Sequence, residues 1–334
     1  LLNYSIEIKT ATFYQVYHMS QISVERTADS SMTGFQLFNS LVKGDLKPGR
    51  LWHAKNYRVK FALRTLLAPV TTIKLLENIA AIPSCQDVLL AQPRLPCKLH
   101  HPYLNVHFKR QDAVKAIGEH YQMMDDALPQ SILRKIYNAK PYYLCEMTGK
   151  NGQLFRIGIS PIDSLNKEGE LSLLFYNDEG TMLSECTFTL LTYLGKKTLF
   201  VGGLQGPKRS VPHELIQTAT KECHGLFPKR LLMQALCLFA NSVGCEQILA
   251  VGNDTHIYKN WRYNKKKSSK MMSDYDSFWL SIGAETTQEG YFRLPLTIAR
   301  KSLEEIASKK RAEYRRRYQL LDDLESAAHA ALSR

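Results

Sequence analysis

A glycine-rich turn is the first feature whose residue types suit chemistry. The run 201–207 (VGGLQGP) lies where a predicted strand passes into a predicted helix. Glycines there let backbone N–H groups approach a ligand, and a following helix N-terminus favours an anion, so Gly203, Gln205 and Gly206 are candidate ligand-binding residues. The alternative is that the glycines only shape a turn or a bulge, and Pro207 removes one N–H donor.

Two further loops carry polar residues that local geometry does not require. In the loop 224–229 (HGLFPK), Gly225 and Pro228 suit a helix end and a helix start, whereas His224 and Lys229 need solvent or a site. A lone histidine is more often a cap or a core residue than a catalyst. The loop 253–256 (NDTH) follows a predicted parallel strand, at the edge where open α/β sheets bind ligands. Asn253 and His256 are therefore candidates, although Asp254 also suits a helix cap.

Tyr275 and Asp276 form a third polar group, within the segment 274–279 (DYDSFW). They belong either to a site or to core packing around one buried polar pair. The set Cys97, His100, His101 and His107 matches no tetrahedral zinc spacing, so no metal is expected. The chain shows no Walker loop, GxSxG, HExxH or GxGxxG in a supporting context, which sets those enzyme classes aside.

The composition is that of a globular protein with a basic surplus. The 334 residues are 44% hydrophobic and 22% charged, and 44 Lys and Arg exceed 31 Asp and Glu to give a net charge of +13. That charge favours an anionic partner: nucleic acid, anionic lipid or an acidic protein. Seven unpatterned cysteines indicate a reducing compartment. No spanning apolar run or signal peptide is visible, so a cytoplasmic location is expected.

The elements predict an α+β fold: a mainly helical region over 1–140, an α+β region over 141–299 and a basic helix over 300–334. An apolar stripe at helical spacing runs along 56–82 and breaks near Pro69. Four strands at 153–160, 170–177, 183–194 and 198–205 form an antiparallel meander, followed by helices at 212–224 and 228–243 and a strand at 247–253. The last strand should pair in parallel after a right-handed crossover.

Two basic segments offer an extended surface. Residues 259–270 carry six cations beside Trp261 and Tyr263, and the helix predicted over 300–328 is also basic. Cations interleaved with aromatic rings suit phosphate groups or a membrane interface, and the alternative is a solvated loop. Neither segment has a nucleic-acid fold signature, so nucleic acid is the less favoured partner.

Several long strings carry a family resemblance: GGLQGP at 202–207, HGLFPKRLLMQAL at 224–236, DYDSFW at 274–279, SKKRAEYRRRYQLL at 308–321 and HPYLNVHF at 101–108. With these strings the chain resembles the VirK/YbjX family of enterobacterial proteins over about residues 35–325. The resemblance implies a role in virulence, in tolerance of cationic antimicrobial peptides and in surface placement of an outer-membrane autotransporter. It implies no particular reaction.

The order of elements is also similar to the acetyltransferase-like (GNAT) fold, in which amides after the fourth strand hold the pyrophosphate of coenzyme A. This resemblance would give residues 203–213 that role. The chain lacks the Arg/Gln-x-x-Gly-x-Gly/Ala loop of that fold, and relatives that use acyl carrier protein or aminoacyl-tRNA have weaker loops. The expected donor is therefore an acyl-CoA or an acyl carrier protein thioester.

Together these observations lead to two hypotheses. The first is an acyltransferase-like enzyme that modifies an envelope lipid or protein, peripheral to the inner membrane. In it His224 or His256 acts as the base, and Tyr275 or Asp276 orients the base or protonates the leaving group. Gly203, Gln205, Gly206, Lys229 and Asn253 hold the donor. The second is a non-catalytic module that binds anionic lipid headgroups or an envelope-protein client through 259–270 and 300–334.

Overall fold

Short helices precede the sheet, and local signals set their ends. The computed structural model describes residues 32–260, residue 263 and residues 274–333, so most of the basic segment 259–270 lies outside the described residues. The helices are α1 (Gly34–Lys43), α2 (Arg50–His53), α3 (Lys55–Leu66), α4 (Pro69–Ala80), α5 (Cys85–Ala91), α6 (Arg110–Ala127) and α7 (Gln130–Ile136). Thr33 and Gln36 form a capping box at the start of α1, and Gly44 ends it in the left-handed conformation. The predicted break falls between α3 and α4, where Pro69 takes the first helical position.

The apolar stripe over 56–82 faces the core only in its second half. Leu76 and Ile79 of α4 are buried, whereas α3 packs inward through Phe61 and Thr65. Phe61 contacts the ring of Trp52 edge to face, with centroids 5.1 Å apart. Because Phe61 and Thr65 occupy the inner side of α3, the predicted stripe on α3 is exposed to solvent instead.

Eight strands form one mixed sheet in the order β1-β2-β3-β4-β5-β6-β8-β7. Their bounds are β1 (Tyr142–Thr148), β2 (Leu154–Ser160), β3 (Leu171–Asn177), β4 (Met182–Tyr193), β5 (Lys196–Gln205), β6 (Gln247–Val251), β7 (Glu285–Thr286) and β8 (Tyr291–Leu294). Only β5 and β6 pair in parallel; the other neighbours are antiparallel. The meander and the parallel crossover are therefore confirmed, while β1, β7 and β8 were not predicted.

Helices cover both faces of the sheet. On one face α6 packs against β4. The crossover from β5 to β6 contains α8 (His213–Glu222) and α9 (Pro228–Ser242). α9 covers the other face, where Phe239 lies 5.3 Å from the ring of Phe188. A single hydrophobic core joins the helical region, the sheet and the terminal helix within the described part of the chain.

The terminal helix α11 (Ser308–Leu332) begins eight residues later than predicted. Ile306 is buried and its carbonyl oxygen accepts a bond from Arg311, which fixes a turn where the sequence pattern predicted helix. The helix packs on β1 and α9 through Leu320, Leu321 and Leu324. Its apolar side therefore belongs to the core, while Lys309, Lys310, Arg315 and Arg316 are exposed on the outer side.

β5 and β6 separate before β5 ends. Their pairing stops at Val201 and Ala250, and β5 continues to Gln205. A bulge against β4 inserts Gly202 between two paired residues, which bends β5 away from its neighbour. The ends of β5 and β6 therefore open a gap at the carboxyl edge of the parallel pair.

All seven cysteines lie in the described residues and are free thiols. Of the helices in that part of the chain, none is both long and apolar enough to cross a bilayer.

Candidate functional site

Polar side chains lie at the gap between the ends of β5 and β6. We call Glu168, Gln205, His256, Tyr258 and Tyr275 the strand-divergence cluster. The side-chain amide of Gln205 donates to both carboxyl oxygens of Glu168, at 3.1 and 2.9 Å, and the Tyr258 hydroxyl also donates to Glu168. Glu168, His256 and Tyr275 are each at most 3% exposed. The structure thus brings together three residues named from the sequence, namely Gln205, His256 and Tyr275.

Tyr275 is the first residue of helix α10 (Tyr275–Ser281), and it contacts the end of β5 where β6 no longer pairs with that strand. Its hydroxyl oxygen accepts the backbone N–H of Leu204 at 3.3 Å. His256 stacks on the Tyr275 ring, with centroids 5.2 Å apart, and its Nε2 lies 3.4 Å from the hydroxyl. His256 Nδ1 accepts the backbone N–H of Tyr258, so the neutral ring carries its proton on Nε2, toward Tyr275. Burial, reinforced by Glu168, raises the pKa of Tyr275 and keeps its hydroxyl protonated.

Glu185 on β4 lies beside the cluster and was not found from the sequence. It stands directly opposite Gln205 in the β4–β5 ladder, so the two side chains share one face. Burial raises the pKa of the Glu185 carboxyl to about 7, with Lys208 acting in the opposite direction. A half-buried carboxyl group that titrates near neutral pH is suited to accept or release a proton during a reaction.

The glycines of the predicted turn permit the close approach of Glu168. A Cβ atom on Gly202 would overlap the backbone carbonyl oxygen of Glu168, and one on Gly203 would overlap its carboxyl group. Both glycines lie inside β5, and only Gly206 follows the strand, with open space where a Cβ would stand. The bulge interpretation therefore accounts for Gly202 and Gly203, while Gly206 remains open to a ligand.

Gly202→Ala should lower the free energy of unfolding by about 1–3 kcal/mol, because the Glu168 backbone must move. Gly206→Ala is the matched control, with an expected change within about 0.5 kcal/mol. Urea unfolding monitored by circular dichroism measures both. Equal stability of the two variants would mean that the approach of Glu168 to β5 is not tight.

Asn253 and Asp276 hold Tyr275 in place. Asp276 Oδ1 accepts the backbone N–H of Asn253 at 2.7 Å, and Asn253 Oδ1 accepts the backbone N–H of Tyr275 at 2.9 Å. The Asn253 amide also donates to Asp274. Trp279 is fully buried and donates to the carbonyl oxygen of Val251. These contacts join the loop after β6 to α10 and position Tyr275.

His224 and Lys229 contact other parts of the molecule. The carbonyl oxygen of His224 accepts two bonds from Arg317 of α11, at 2.8 and 2.7 Å, and its backbone has a positive φ of 53°. Partial burial and the cation of Arg316 lower the pKa of its ring. Lys229 Nζ lies 5.9 Å from the centre of the Phe278 ring. His224 thus contacts α11, whereas His256 packs against Tyr275 in the gap between the strands.

A second polar group is buried and consists of Glu170 with Gln92, Lys98, Tyr103 and Tyr121; we call it the Glu170 cluster. Its carboxyl group pairs with Lys98 and accepts hydroxyl bonds from Tyr103 at 2.6 Å and Tyr121 at 2.8 Å. Tyr121 in turn accepts from the amide of Gln92. The residues come from the helical region and from the edge of β3, so this cluster joins the two parts of the fold and is structural.

An open groove of about 590 Å³ lies elsewhere, lined by residues of α6, the end of β4 and the turn before β8. Asp112, Glu119 and Glu289 line it beside the rings of Tyr193 and Tyr291. Its carboxylates do not suit the anionic donor expected from the sequence. For that reason we place the candidate site at the strand-divergence cluster and not at this groove.

Three site residues were missed, for different reasons. Glu168 lies in the polar sequence Lys167-Glu168-Gly169 between two predicted strands, and nothing local indicates that its carboxyl group is buried. Tyr258 follows the candidate loop by two residues and has no distinguishing pattern. Glu185 did carry a signal, since it is the only charged residue in the apolar run 183–194 (LSECTFTLLTYL).

Among the described residues, no group of three His, Cys, Asp or Glu side chains has an arrangement that would hold a metal ion. A donor with phosphate groups would meet Gly206, Lys208 and Arg209 between β5 and α8, where both cations are exposed. The first turn of α8 follows, and no side chain caps its N-terminus.

The comparisons with known proteins place the chain near proteins without an assigned activity. The profile of the family "Protein of unknown function (DUF535)" matches residues 50–330. The chain is similar to the uncharacterized protein YbjX of Escherichia coli (strain K12), with 44% identity over 92% of this chain and 93% of that protein. It is also similar to an uncharacterized protein of Haemophilus influenzae, with 30% identity over 65% of this chain and 70% of that protein.

Proposed function

Because the chain belongs to the DUF535 family, whose function is unknown, we propose from the site itself that the protein transfers an acyl group. The observation that carries the proposal is the gap between parallel strands β5 and β6, lined by Tyr275, His256 and Gln205 with Glu185 beside it. In open α/β sheets, ligands bind outside the carboxyl ends of the strands, where the strand order reverses.

The strand order supports the acyltransferase-like fold. Four antiparallel strands, β2 to β5, lead to the parallel strand β6, and β8 lies between β6 and β7. This order is similar to that of the acetyltransferase-like fold, with β1 as an additional edge strand. Because a fold does not by itself determine an activity, the named residues must supply the chemistry.

Glu185 is the group we assign as the general base. His256 is 1% exposed and packs between Tyr275 and Tyr258, whereas Glu185 is only half-buried. A base with a pKa of about 7 is half deprotonated near neutral pH and can take the proton of an attacking amine or hydroxyl. His256 then has an indirect role, because its Nε2 atom lies 3.4 Å from the Tyr275 hydroxyl.

The proposed reaction takes an amine as its acceptor. The amine nitrogen attacks the thioester carbonyl carbon, a C–N bond forms and the C–S bond breaks. The amine proton passes to the Glu185 carboxylate, and the same carboxyl group then gives it to the leaving thiolate, which returns Glu185 to its starting state. Tyr275 keeps its proton, because burial raises the pKa of its hydroxyl above that of a thiol. The products are an amide and a free thiol.

Donor recognition falls on the segment between β5 and α8. Lys208 and Arg209 are exposed, and Gly206 leaves space beside its backbone. The phosphates of coenzyme A and of the acyl carrier protein prosthetic group share the same chemistry, so both donors fit this segment.

The experiment that tests donor recognition is calorimetric titration with an acyl-CoA and with acylated acyl carrier protein. Lys208→Ala with Arg209→Ala should weaken binding of the true donor about tenfold, since two charged contacts to phosphate are lost. The matched control is Lys196→Ala with Lys197→Ala, which removes two cations at the opposite end of β5. The proposal would be refuted if neither donor binds, or if the two double variants weaken donor binding equally. Native mass spectrometry of protein purified at low salt shows which donor is carried.

The non-catalytic alternative, binding of anionic lipid or an envelope-protein client through α11, needs a different experiment from truncation. α11 buries Leu320, Leu321 and Leu324 against the core, so removing 300–334 would destabilise the fold. Charge reversal at the exposed residues Lys309, Lys310, Arg315 and Arg316 leaves the core intact. Loss of function in that variant together with full function in Glu185→Gln would favour the alternative.

A further inference from the structure

Large apolar side chains are exposed around the junction of α3 and α4. Val59, Leu63, Leu66, Leu67 and Val70 have exposed fractions between 48% and 81%. We call these five residues the α3–α4 corner. Isolated exposed apolar residues are ordinary, but a contiguous group of this size marks a surface that contacts another molecule.

Helical geometry makes the α3–α4 corner a single surface. Val59, Leu63 and Leu66 follow one another at spacings of four and three, which places them on one side of α3. Phe61 and Thr65 occupy the inner side and are buried. Leu67 lies in the connection and Val70 in the first turn of α4, so apolar side chains from both helices meet where the chain bends.

Cations flank this apolar surface. Residues 33–76 contain one acid, Asp45, and eight cations, namely Lys43, Lys47, Arg50, Lys55, Arg58, Lys60, Arg64 and Lys74. Lys60 and Arg64 are exposed and follow Val59 and Leu63 by one residue each, so they form a row beside the apolar one. Lys74 pairs with Glu77 one turn further along α4.

We propose that the α3–α4 corner docks on the surface of a bilayer that contains anionic lipid. An apolar side that enters the interface, with lysine and arginine beside it at headgroup level, is the pattern of an interfacial amphipathic helix. A second copy of the chain fits less well, because pairing two corners would bring Lys60 and Arg64 of one copy against the same cations of the other. The proposal does not rest on acyl transfer.

The test is sedimentation of the full chain with vesicles of phosphatidylcholine alone or mixed with phosphatidylglycerol. We expect binding to the mixed vesicles that falls as salt rises. Leu66→Gln with Val70→Gln, and separately Lys60→Glu with Arg64→Glu, should each weaken it about tenfold or more. The matched control is Leu194→Gln with Leu280→Gln, two leucines that are 78% and 57% exposed outside the corner. Thermal unfolding of each variant verifies that it is folded.

Insertion is measured separately with Leu67→Trp, which places an indole at an exposed position of the corner. Its emission should shift to shorter wavelength on mixed vesicles and be quenched by brominated lipid. Failure of the unsubstituted chain to bind mixed vesicles would overturn the proposal. Full binding by Leu66→Gln with Val70→Gln would also overturn it, as would an absence of quenching of the Leu67→Trp emission by brominated lipid. Light scattering tests whether the corner contacts a second copy instead. A dimer would assign the corner to a second copy if Leu66→Gln with Val70→Gln abolishes it and vesicles do not dissociate it.

Discussion

Glu170→Gln should lower the free energy of unfolding by about 3–5 kcal/mol, because it leaves the Lys98 ammonium buried without its counter-charge. Both side chains are at most 1% exposed, and the ion pair holds the helical region to the sheet. Glutamine keeps the shape of the side chain and removes only the charge. Chemical denaturation followed by circular dichroism gives the difference.

Two comparisons separate this effect from general damage. Glu146→Gln removes a carboxylate that pairs with Arg156 on the exposed surface of the same sheet, and it should cost less than about 1 kcal/mol. Adding Lys98→Met to Glu170→Gln should restore part of the lost stability, since the uncompensated cation is gone. If Glu170→Gln costs no more than Glu146→Gln, the buried pair does not stabilise the fold.

The Glu170–Lys98 pair also makes the stability of the fold depend on pH. Burial alone would raise the pKa of Glu170, but Lys98, His120 and the hydroxyl bonds outweigh burial and lower it. A lowered carboxyl pKa stabilises the fold above the usual value of 4.5, and this contribution is lost as the pH falls below that value. The loss on acidification should therefore be smaller in Glu170→Gln.

Glu185→Gln should lower kcat/KM for acyl transfer by about 10²–10⁴-fold, the range that a positioned general base contributes. Activity of the unsubstituted protein should rise with pH through about 7, because the Glu185 carboxyl must lose its proton before it can accept one. In the glutamine variant that rise should disappear while donor affinity is unchanged. The measurement is release of free thiol from the donor over a range of pH.

Glu179→Gln is the matched control for this prediction. Glu179 lies exposed in the turn between β3 and β4, six residues from Glu185, and its loss should leave both rate and pH profile unchanged. A glutamine variant at 185 that keeps the rate and the pH profile would remove Glu185 from the reaction. Transfer would then have to depend on another group, with His256 the first to be substituted.

The sequence predicted the strands of the meander, the two helices of the crossover and the parallel β5–β6 pair. It did so because alternating and helical periodicities, with Gly and Pro at the ends, are local properties. β7 and β8 escaped detection since strands of two and four residues carry almost no periodicity. The late start of α11 was also missed, because burial of Ile306 is a tertiary contact that overrides the basic helical pattern.

The candidate site follows the same division. Gln205 was named from the glycine-rich turn, and His256 because it follows a strand at the edge where parallel strands bind ligands; the structure places them in one cluster with Tyr275. Glu168 and Glu185 were not named. The burial of Glu168 depends on a loop from between β2 and β3 that approaches Gly202 and Gly203, and the pKa of Glu185 depends on its partial burial on β4.

The amino-acid sequence by itself determined the order and type of the main elements, the basic charge and the family. The tertiary structure alone decided which polar residues meet: the Glu170 pair, the strand-divergence cluster and the separation of His224 from Tyr275 and His256 depend on contacts between residues far apart in the chain. It also decided that the apolar row of α3 is exposed, because Phe61 and Thr65 take the inner side. The physical reason is that periodicity reports only which side of a helix is apolar, whereas burial depends on what packs against it.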